Sequence, residues 1–535
     1  MRSFALAPLR RGDRVLLALA AVNVAWVGAN AGAFVTRLYL DADIASAPVI
    51  GSLVASAPAG RIVTLGNYPW YEPLWFMELS RWLPWHRLVW EAAPFVVSLI
   101  DLALLVVVAR LAVGGRAALF TGAVFCCTTR GTRFVLLTPN AHGAALLHGL
   151  LLGAALVIAV RNNARITRPV LFGAAAVLAF VSGLGATDRL FVVDSLVPFV
   201  VAACFGWWRT RCSPECRLAL AAIGTAAVAL LLGEIVRHLM QHEHVVPTPG
   251  FVVSLAPPSR LASNASTLVR AFSYLGGGDV LASPFRMASL PAFAAGLLTL
   301  AAGALVARWS WLGLRRGWAR VEVGQEPDLT RETYLVFWGA TLVCSTIAFI
   351  LSSASIDAGD SRYLLAAFVA VLALLPVLVQ RSSQRTQLGL AIAACAFALL
   401  SLHAAVGEGR YAYGSKLTPT EIRRFVRYAS RHKLRYGYAD YATAPALTWA
   451  TGVRVQVFPV QPCGARLCPF YLHTISSWYS PGPDARTFLI VDRATQGSYR
   501  SVTEPSSAFG RALERVRIGD LTVYVYDHDL AAALG

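Results

Sequence analysis

LYLDADIASAPVIG, residues 38–51, follows directly on a hydrophobic segment at 15–35, and GNYPWYEPLWF, residues 66–76, comes next in the same loop. The first stretch carries two carboxylates, Asp41 and Asp43, about where the hydrophobic segment would leave a bilayer. An ionisable group at that level suggests a functional site, because desolvation and neighbouring charge can tune it as a base or a cation ligand. The alternative is a solvated pair of acids beside the membrane, since a DxD pattern alone is a weak signal.

The composition predicts a polytopic membrane protein. Of 535 residues, 56% are hydrophobic and only 14% are charged, which is too apolar for an ordinary soluble protein. The formal net charge is +18, but the arginines fall mostly in short stretches between apolar segments, as in cytoplasmic loops that follow the positive-inside rule. We therefore exclude nucleic-acid binding as the reason for the basic charge.

The apolar segments predict about eleven transmembrane helices of roughly 20 residues each. They lie at 15–35, 92–113, 117–137, 141–160, 169–187, 190–207, 217–236, 287–308, 333–353, 363–380 and 386–406. An odd number of spans places the two ends of the chain on opposite sides, and the basic short loops place the N-terminus in the cytoplasm. The segment at 117–137 is the least regular, because TTRGTR at 128–133 interrupts it.

The composition changes at about residue 407. Apolar runs shrink to strand length, as in VRVQVFPV and TFLIVD, and alternate with helix-like pieces such as PTEIRRFVRYASRH. This predicts a transmembrane domain at 1–406, with its first extracytoplasmic loop at 37–90, and a small extracytoplasmic α/β domain at 407–535. On that side of the membrane, Cys463 and Cys468 favour a short-loop disulfide, with two free thiols as the alternative.

Two groups of basic residues are predicted near the outer ends of their spans. Arg130 and Arg133 lie late in the third segment, and Arg362, followed by Tyr363, lies where the tenth segment begins. Arginine is costly in hydrocarbon and matches phosphate with two parallel donors, so these residues predict a site for a lipid phosphate. The alternative for Arg130 and Arg133 is snorkelling to the headgroups.

Several other polar residues are weaker candidates. The cavity candidates are Glu72, His142, Asp188 and Arg189, although a single histidine is more often a hydrogen-bonded cap and an adjacent acid and base often satisfy each other. His238 and His242 lie four residues apart, a spacing compatible with metal binding on one helical face. We favour the interpretation that these histidines are scattered in a solvated loop. The sequence therefore predicts no definite cofactor, and a bound divalent cation is the alternative.

Taken together, these pieces resemble the GT-C class of polytopic glycosyltransferases, particularly the bacterial relatives of the protein O-mannosyltransferase and lipid A aminoarabinose transferase families. The resemblance covers about residues 1–406. It rests on Leu40-Asp41-Ala42-Asp43, on Tyr-Glu-Pro-Leu-Trp at 71–75, on the asparagine and histidine after the third span, and on Ser361-Arg362-Tyr363-Leu364. Many relatives have two adjacent acids where this chain has Asp41-Ala42-Asp43, and a second proline where it has Glu72.

The resemblance implies a sugar donor linked to polyprenyl phosphate and approached from the outer leaflet of a bacterial cytoplasmic membrane. It implies that an acid of the first loop acts as general base on the acceptor hydroxyl, in a direct displacement that inverts the anomeric centre. By position Asp41 matches this acid best, and Asp43 is the alternative. The acceptor would be a glycan, lipid or protein of the cell envelope.

Two other classes stay open at this point. A transporter or flippase of lipid-linked glycans would use intramembrane arginines to guide phosphate, but it predicts repeated halves and broken helices that we do not find in the sequence. A non-catalytic scaffold for envelope assembly would tolerate Asp41→Asn.

Overall fold

The computed structural model describes most of the chain. The described residues are 11–30, 32, 34, 42–56, 62–64, 86–127, 129–138, 141–211, 213–243, 245–247, 254–281, 290–317, 328–380, 383–407, 417–464, 466–480, 486–493, 497–503 and 507–534. They form two compact units. We call one the helical unit, with residues from Met1–Ala31, Pro94–Val236 and Val253–Gly409, and the other the mixed unit, with residues from Gly32–Ala93, Arg237–Val252 and Arg410–Gly535.

Helices make up most of the described chain. They are α1 Arg11–Ala29, α2 Ala42–Ser56, α3 His86–Ala112, α4 Gly115–Cys126, α5 Arg130–Leu136, α6 Ala141–Arg161, α7 Arg168–Gly185, α8 Arg189–Thr210 with a π-helical turn at Val192–Leu196, α9 Ser213–Glu243, α10 Leu261–Leu275, α11 Leu290–Gly317, α12 Leu329–Leu351, α13 Leu365–Gln380, α14 Gln384–Gly407, α15 Pro419–Arg431, α16 Ala444–Ala450 and α17 Arg500–Thr503. Within the described ranges, nine of them are long and apolar enough to cross a membrane: α1, α3, α7, α8, α9, α11, α12, α13 and α14. The protein is therefore a multi-span membrane protein.

Two of the eleven predicted spans have no counterpart among these nine helices. The predicted span 117–137 is two shorter helices, because α4 ends at Cys126 and α5 begins at Arg130. Thr129 and Thr132 form a reciprocal capping box at the start of α5, and such side chains compete with the continuous helical ladder. The predicted span 141–160 is the 21-residue helix α6, whose apolar stretch at Ala145–Arg161 falls just short of the others in length.

The central helix of the helical unit is α13, which a 3-10 turn at Ala358–Leu364 precedes. Of the residues in the window Ala358–Leu378, 78% are buried, against 22–50% for the other eight spans. The sequence of α13 is apolar all round, which suits a helix that neighbouring helices cover on every side. On α7, by contrast, Phe172 and Phe180 are both 66% exposed, as expected of side chains that face lipid.

The mixed unit contains two sheets. Its strands are β1 Ile62–Thr64, β2 Val245–Pro247, β3 Tyr436–Ala439, β4 Gln456–Cys463, β5 Arg466–Pro469, β6 Thr474–Ile475, β7 Thr487–Asp492, β8 Glu514–Ile518 and β9 Leu521–Tyr526. The larger sheet has the order β5-β4-β3-β7-β9-β8, in which β3 is parallel to both of its neighbours and the remaining pairs are antiparallel. Helices and strands therefore alternate in the C-terminal region, as the sequence predicts.

The smaller sheet joins three distant parts of the chain. Its order is β2-β1-β6, with β1 parallel to β2 and antiparallel to β6. The register pairs Ile62 with Val245 on one side and with Ile475 on the other. The described residues of the first loop are thereby grouped with the C-terminal region rather than with the helical unit.

The core of the larger sheet depends on a close approach at Gly437. Phe488 on β7 is fully buried against Phe425 of the amphipathic helix α15, with 5.9 Å between the ring centroids. A Cβ at Gly437 would overlap the Phe488 ring. Gly437→Ala is therefore expected to lower the free energy of unfolding by about 1–3 kcal/mol, measured by thermal unfolding of the detergent-purified protein.

Gly497→Ala is the matched control for this change. A Cβ at Gly497 would meet no atom of the described residues within 4 Å, so its substitution should leave the unfolding temperature nearly unchanged. Equal shifts for the two variants would contradict the steric explanation.

Candidate active site

Asp43 is an exposed residue in the first turn of α2. An acid in that position is stabilised by the partial positive charge of the helix N-terminus. Its Oδ1 accepts a hydrogen bond from the hydroxyl of Tyr441, with 2.9 Å between the two oxygens. Both interactions favour the ionised carboxylate, which is the form that can accept a proton. The other acid of the pair, Asp41, lies outside the described residues, and so does Glu72.

The helix that carries Asp43 packs against α16 of the C-terminal region. Ala45 and Val49 are buried along α2, one turn apart. Ser46, also buried, donates a hydrogen bond to the carbonyl of Ala42 at 2.6 Å, and its hydroxyl lies 3.4 Å from that of Tyr441. The packing against α16 and the hydroxyl contacts of Ser46 thus both restrain the backbone around Asp43.

Arg133 is a completely buried side chain of the helical unit. Its helix, α5, is anchored to the end of α10, because Thr129 donates a hydrogen bond to the carbonyl of Leu275 at 2.5 Å. Gly131 has no side chain, and this lets the backbone approach the carbonyl of Tyr274. A buried guanidinium in a membrane protein is expensive and suggests a functional role. For Arg130 the structure describes the backbone, which opens α5, but not the side chain.

Three predicted site residues come together beside α5. His142, buried at the start of α6, meets the ring of Tyr363 edge-on, with 5.0 Å between the ring centroids. The guanidinium of Arg362 lies over the same ring, 5.3 Å from its centroid. Tyr363 and Arg362 belong to the 3-10 turn before α13, which packs against α5. The structure therefore clusters a histidine, an arginine and a tyrosine from segments that are far apart in sequence.

Asp360 holds this 3-10 turn in place. Its Oδ2 accepts hydrogen bonds from the backbone nitrogens of Ile356, at 2.7 Å, and Asp357, at 3.0 Å. Its Oδ1 lies 3.9 Å from a guanidinium nitrogen of Arg362, the outer limit of an ion pair. The acid therefore shapes the turn more than it neutralises the arginine.

Asp188 and Arg189 point into different environments. Asp188 is buried and caps α8, where its Oδ1 accepts a hydrogen bond from the backbone nitrogen of Leu190 at 2.8 Å, whereas Arg189 is exposed. Burial raises the pKa of the Asp188 carboxyl to about 7, and the hydrogen bond only partly offsets this effect. The carboxyl therefore changes charge near neutral pH.

The raised pKa predicts a pH-dependent stability. Between the ordinary value of 3.8 and about 7, this carboxyl binds more protons in the folded than in the unfolded state. Its contribution to stability therefore falls as the pH rises through that range. Asp188→Asn is expected to remove the loss, so the unfolding temperature of the variant relative to wild type should rise between about pH 5 and about pH 8. A difference that is constant over this range would contradict the prediction.

The predicted histidine pair and the cysteine pair lie in the mixed unit. His238 and His242 are exposed on α9, with 6.5 Å between their ring centroids. Across the described ranges, no three side chains of His, Cys, Asp or Glu come together in a way that could hold a metal ion. Cys463 and Cys468 are joined by a disulfide in the β4–β5 hairpin, with 5.8 Å between their Cα atoms.

Tyr441 is not among the residues that the sequence singles out for a site. The available signal is its place in YGYADY, directly after a predicted strand, since side chains at the carboxyl ends of parallel strands often line a site. That signal does not indicate which residue the Tyr441 side chain contacts.

Comparisons with known proteins agree on the fold. No family model matches the chain, and no curated protein matches it. The crystal structure of ArnT from Cupriavidus metallidurans in the apo state is 12% identical, with a TM-score of 0.53 over 97% of this chain and 99% of that chain. The same protein bound to undecaprenyl phosphate is 11% identical, with a TM-score of 0.54 over 98% of each chain.

A third similar structure is the archaeal oligosaccharyltransferase AglB from Archaeoglobus fulgidus, in complex with an inhibitory peptide and a dolichol-phosphate. It is 12% identical, with a TM-score of 0.47 over 92% of this chain and 70% of that chain, and at that score the likeness carries no argument. The two ArnT structures show that this chain has a GT-C-like fold, as the resemblance implies.

Proposed function

We propose that this protein with a GT-C-like fold is an integral membrane glycosyltransferase that moves a sugar from a polyprenyl-phosphate donor to an acceptor, with inversion. The observation that carries most weight is the likeness over nearly the whole chain to ArnT, one structure of which is bound to undecaprenyl phosphate. A lipid phosphate as leaving group also explains why a membrane protein would bury a guanidinium.

The proposed reaction is a single displacement. Asp41 or Asp43 takes the proton of the acceptor hydroxyl. At the same time the oxygen of that hydroxyl attacks the anomeric carbon, and the bond between this carbon and the phosphate oxygen breaks. The electron pair leaves with the lipid phosphate, whose charge Arg130, Arg133 and Arg362 would stabilise.

The remaining predicted residues have supporting roles in this proposal. Tyr363 and His142 orient Arg362 through the ring contacts described above. Glu72, Asp188 and Arg189 remain candidates for contacts with the sugar or the acceptor. A divalent cation is the alternative way to hold the leaving phosphate, and adding a chelator to the transfer assay distinguishes it from the arginines.

We place the enzyme in a bacterial cytoplasmic membrane, with the N-terminus inside and the C-terminal α/β fold outside, where the acceptor would be an envelope glycan, lipid or protein. The arginines of the short loops support this orientation. A reporter fused after Gly407 should therefore behave as an exported protein, and a cytoplasmic signal would reverse the assignment.

The test of the proposed function is transfer in vitro. The purified protein is incubated with a panel of polyprenyl-phosphate sugars and envelope acceptors, and formation of a new glycosidic bond is measured. A flippase would move the lipid across a vesicle membrane without forming that bond, and a scaffold would do neither.

A further inference from the structure

A side chain of the C-terminal region reaches the acid of the first loop. Tyr441 is 398 residues away from Asp43 in sequence, yet its hydroxyl donates to the carboxylate at 2.9 Å. A hydrogen bond to an ionised acceptor is roughly twice as strong as one between neutral groups. The contact therefore restrains the direction in which the carboxylate points.

Tyr441 is itself held rigidly. It lies in a tight turn between β3 and α16, in which Asp440 accepts hydrogen bonds from the backbone nitrogen of Thr443 through both its carbonyl, at 3.1 Å, and its Oδ1, at 3.0 Å. The ring of Phe470 packs against the Tyr441 ring, with 5.2 Å between the centroids. A side chain fixed at its backbone and along its ring can set the position of whatever its hydroxyl binds.

The turn also occupies a particular place in the sheet. β3 has parallel neighbours on both sides, β4 and β7, so the order of the strands reverses around it. In open α/β sheets, ligands bind beyond the carboxyl ends of the strands at such a reversal. Here Tyr441 follows the carboxyl end of β3, and it presents its hydroxyl to the acidic end of α2.

Two further contacts hold the first loop against the C-terminal region. α2 packs on α16, the helix that directly follows the Tyr441 turn. β1, which lies in the same loop, pairs with β6, so that Val63 faces Thr474 in an antiparallel register. The Tyr441 hydrogen bond is thus one of several contacts between the described parts of the first loop and the C-terminal region.

We infer that Tyr441 is a positioning residue for Asp43, and that the C-terminal α/β fold takes part in sugar transfer by orienting this carboxylate. The inference rests on the proposed function. A carboxylate has two oxygens with about four lone-pair sites, so it can accept from Tyr441 through Oδ1 while the other oxygen takes the proton of the acceptor hydroxyl. Without the tyrosine hydroxyl the carboxylate can rotate about its bond to Cβ, and the geometry for proton transfer is lost.

Tyr441→Phe tests this inference, because it removes the hydroxyl and keeps the ring against Phe470. We expect kcat/KM for transfer to fall on the order of 10- to 100-fold, mainly through kcat. The acidic limb of the pH–rate profile should also move to higher pH, because a donated hydrogen bond favours the ionised carboxylate. A purely structural role could lower kcat through loss of active protein, but it would leave the acidic limb of the pH–rate profile in place.

Tyr436→Phe is the matched control. It removes a hydroxyl from β3, five positions earlier, where that group makes no hydrogen bond to any residue that the structure describes. Transfer by Tyr436→Phe at the wild-type rate, with a slower Tyr441→Phe, supports the inference. Equal rates and equal pH profiles for Tyr441→Phe and wild type overturn it and leave the proposed function standing. No transfer by wild type from any donor overturns the proposed function, and the inference falls with it.

A measurement without substrate checks the contact itself. Unfolding temperatures are compared for wild type, Asp43→Ala, Tyr441→Phe and the double variant. If the hydrogen bond exists, the double variant loses less than the sum of the two single losses, since each single change already removes the contact. Strictly additive losses would show that the two side chains do not interact, and would overturn the inference whatever the activity.

Discussion

Replacing the proposed catalytic aspartate of the first loop by asparagine is expected to lower sugar transfer by about 10²–10⁴-fold, the contribution typical of a positioned general base. Asparagine keeps the size of the side chain and a carbonyl oxygen that can still accept the Tyr441 hydrogen bond, but it cannot take a proton. The loss should therefore appear in kcat and kcat/KM together, while donor binding changes little. Asp41→Asn and Asp43→Asn are measured separately with the same panel of polyprenyl-phosphate sugars.

The pair of variants decides which acid is the base. A large loss in one variant and a modest loss in the other assigns proton transfer to the first and an orienting role to the second. Asp520→Asn, in the mixed unit and well exposed, is the control for a surface carboxylate and should transfer sugar at the wild-type rate. Turnover undiminished in both first-loop variants would remove the proposed mechanism.

The second large effect is expected for Arg362→Ala, with a loss of about 10²–10³-fold in kcat/KM. A guanidinium offers two parallel donors to phosphate oxygens, and the negative charge on the donor phosphate grows as the sugar leaves. Arg362→Lys keeps the charge but loses the two-pronged geometry, so its activity should lie between those of Arg362→Ala and wild type.

The 3-10 turn before α13 should persist in Arg362→Ala. The Arg362 side chain is 29% exposed, and Asp360 keeps its two hydrogen bonds from backbone nitrogens when the guanidinium is removed. Arg165→Ala, at an exposed arginine in the turn after α6, controls for the loss of one positive charge. A rise in KM with unchanged kcat would mean that Arg362 binds ground state and transition state equally, and no change in either constant would exclude it from the phosphate site.

Much of the helical unit could be predicted from sequence, because the signal for a membrane span is local. Nine of the predicted apolar segments correspond to long helices in the described ranges. One of the two exceptions, the predicted span 117–137, could be recognised from the interruption TTRGTR. The sequence does not say, however, that Thr129 and Thr132 would cap a new helix rather than bend a continuous one. That outcome depends on the contact of Thr129 with Leu275, 146 residues away.

The candidate site could be predicted from the sequence only in part. Arginine and histidine near the ends of spans can be recognised from residue type and position, and the structure clusters His142, Arg362 and Tyr363. The environments of Asp188 and Arg189 could not be separated, because adjacent residues at the start of a helix project in directions that only the neighbouring helices determine. One is buried and the other exposed.

By itself, the sequence determined that the chain spans a membrane many times, that an acidic motif follows the first apolar segment, and that a region of alternating strands and helices ends the chain. Each of these is a property of consecutive residues, since hydropathy and periodicity act over one element at a time. Only the tertiary structure decided that β1 pairs with β2 and β6, and that Tyr441 donates to Asp43. Strand register and side-chain contacts join residues hundreds of positions apart, and they form only after the elements have packed.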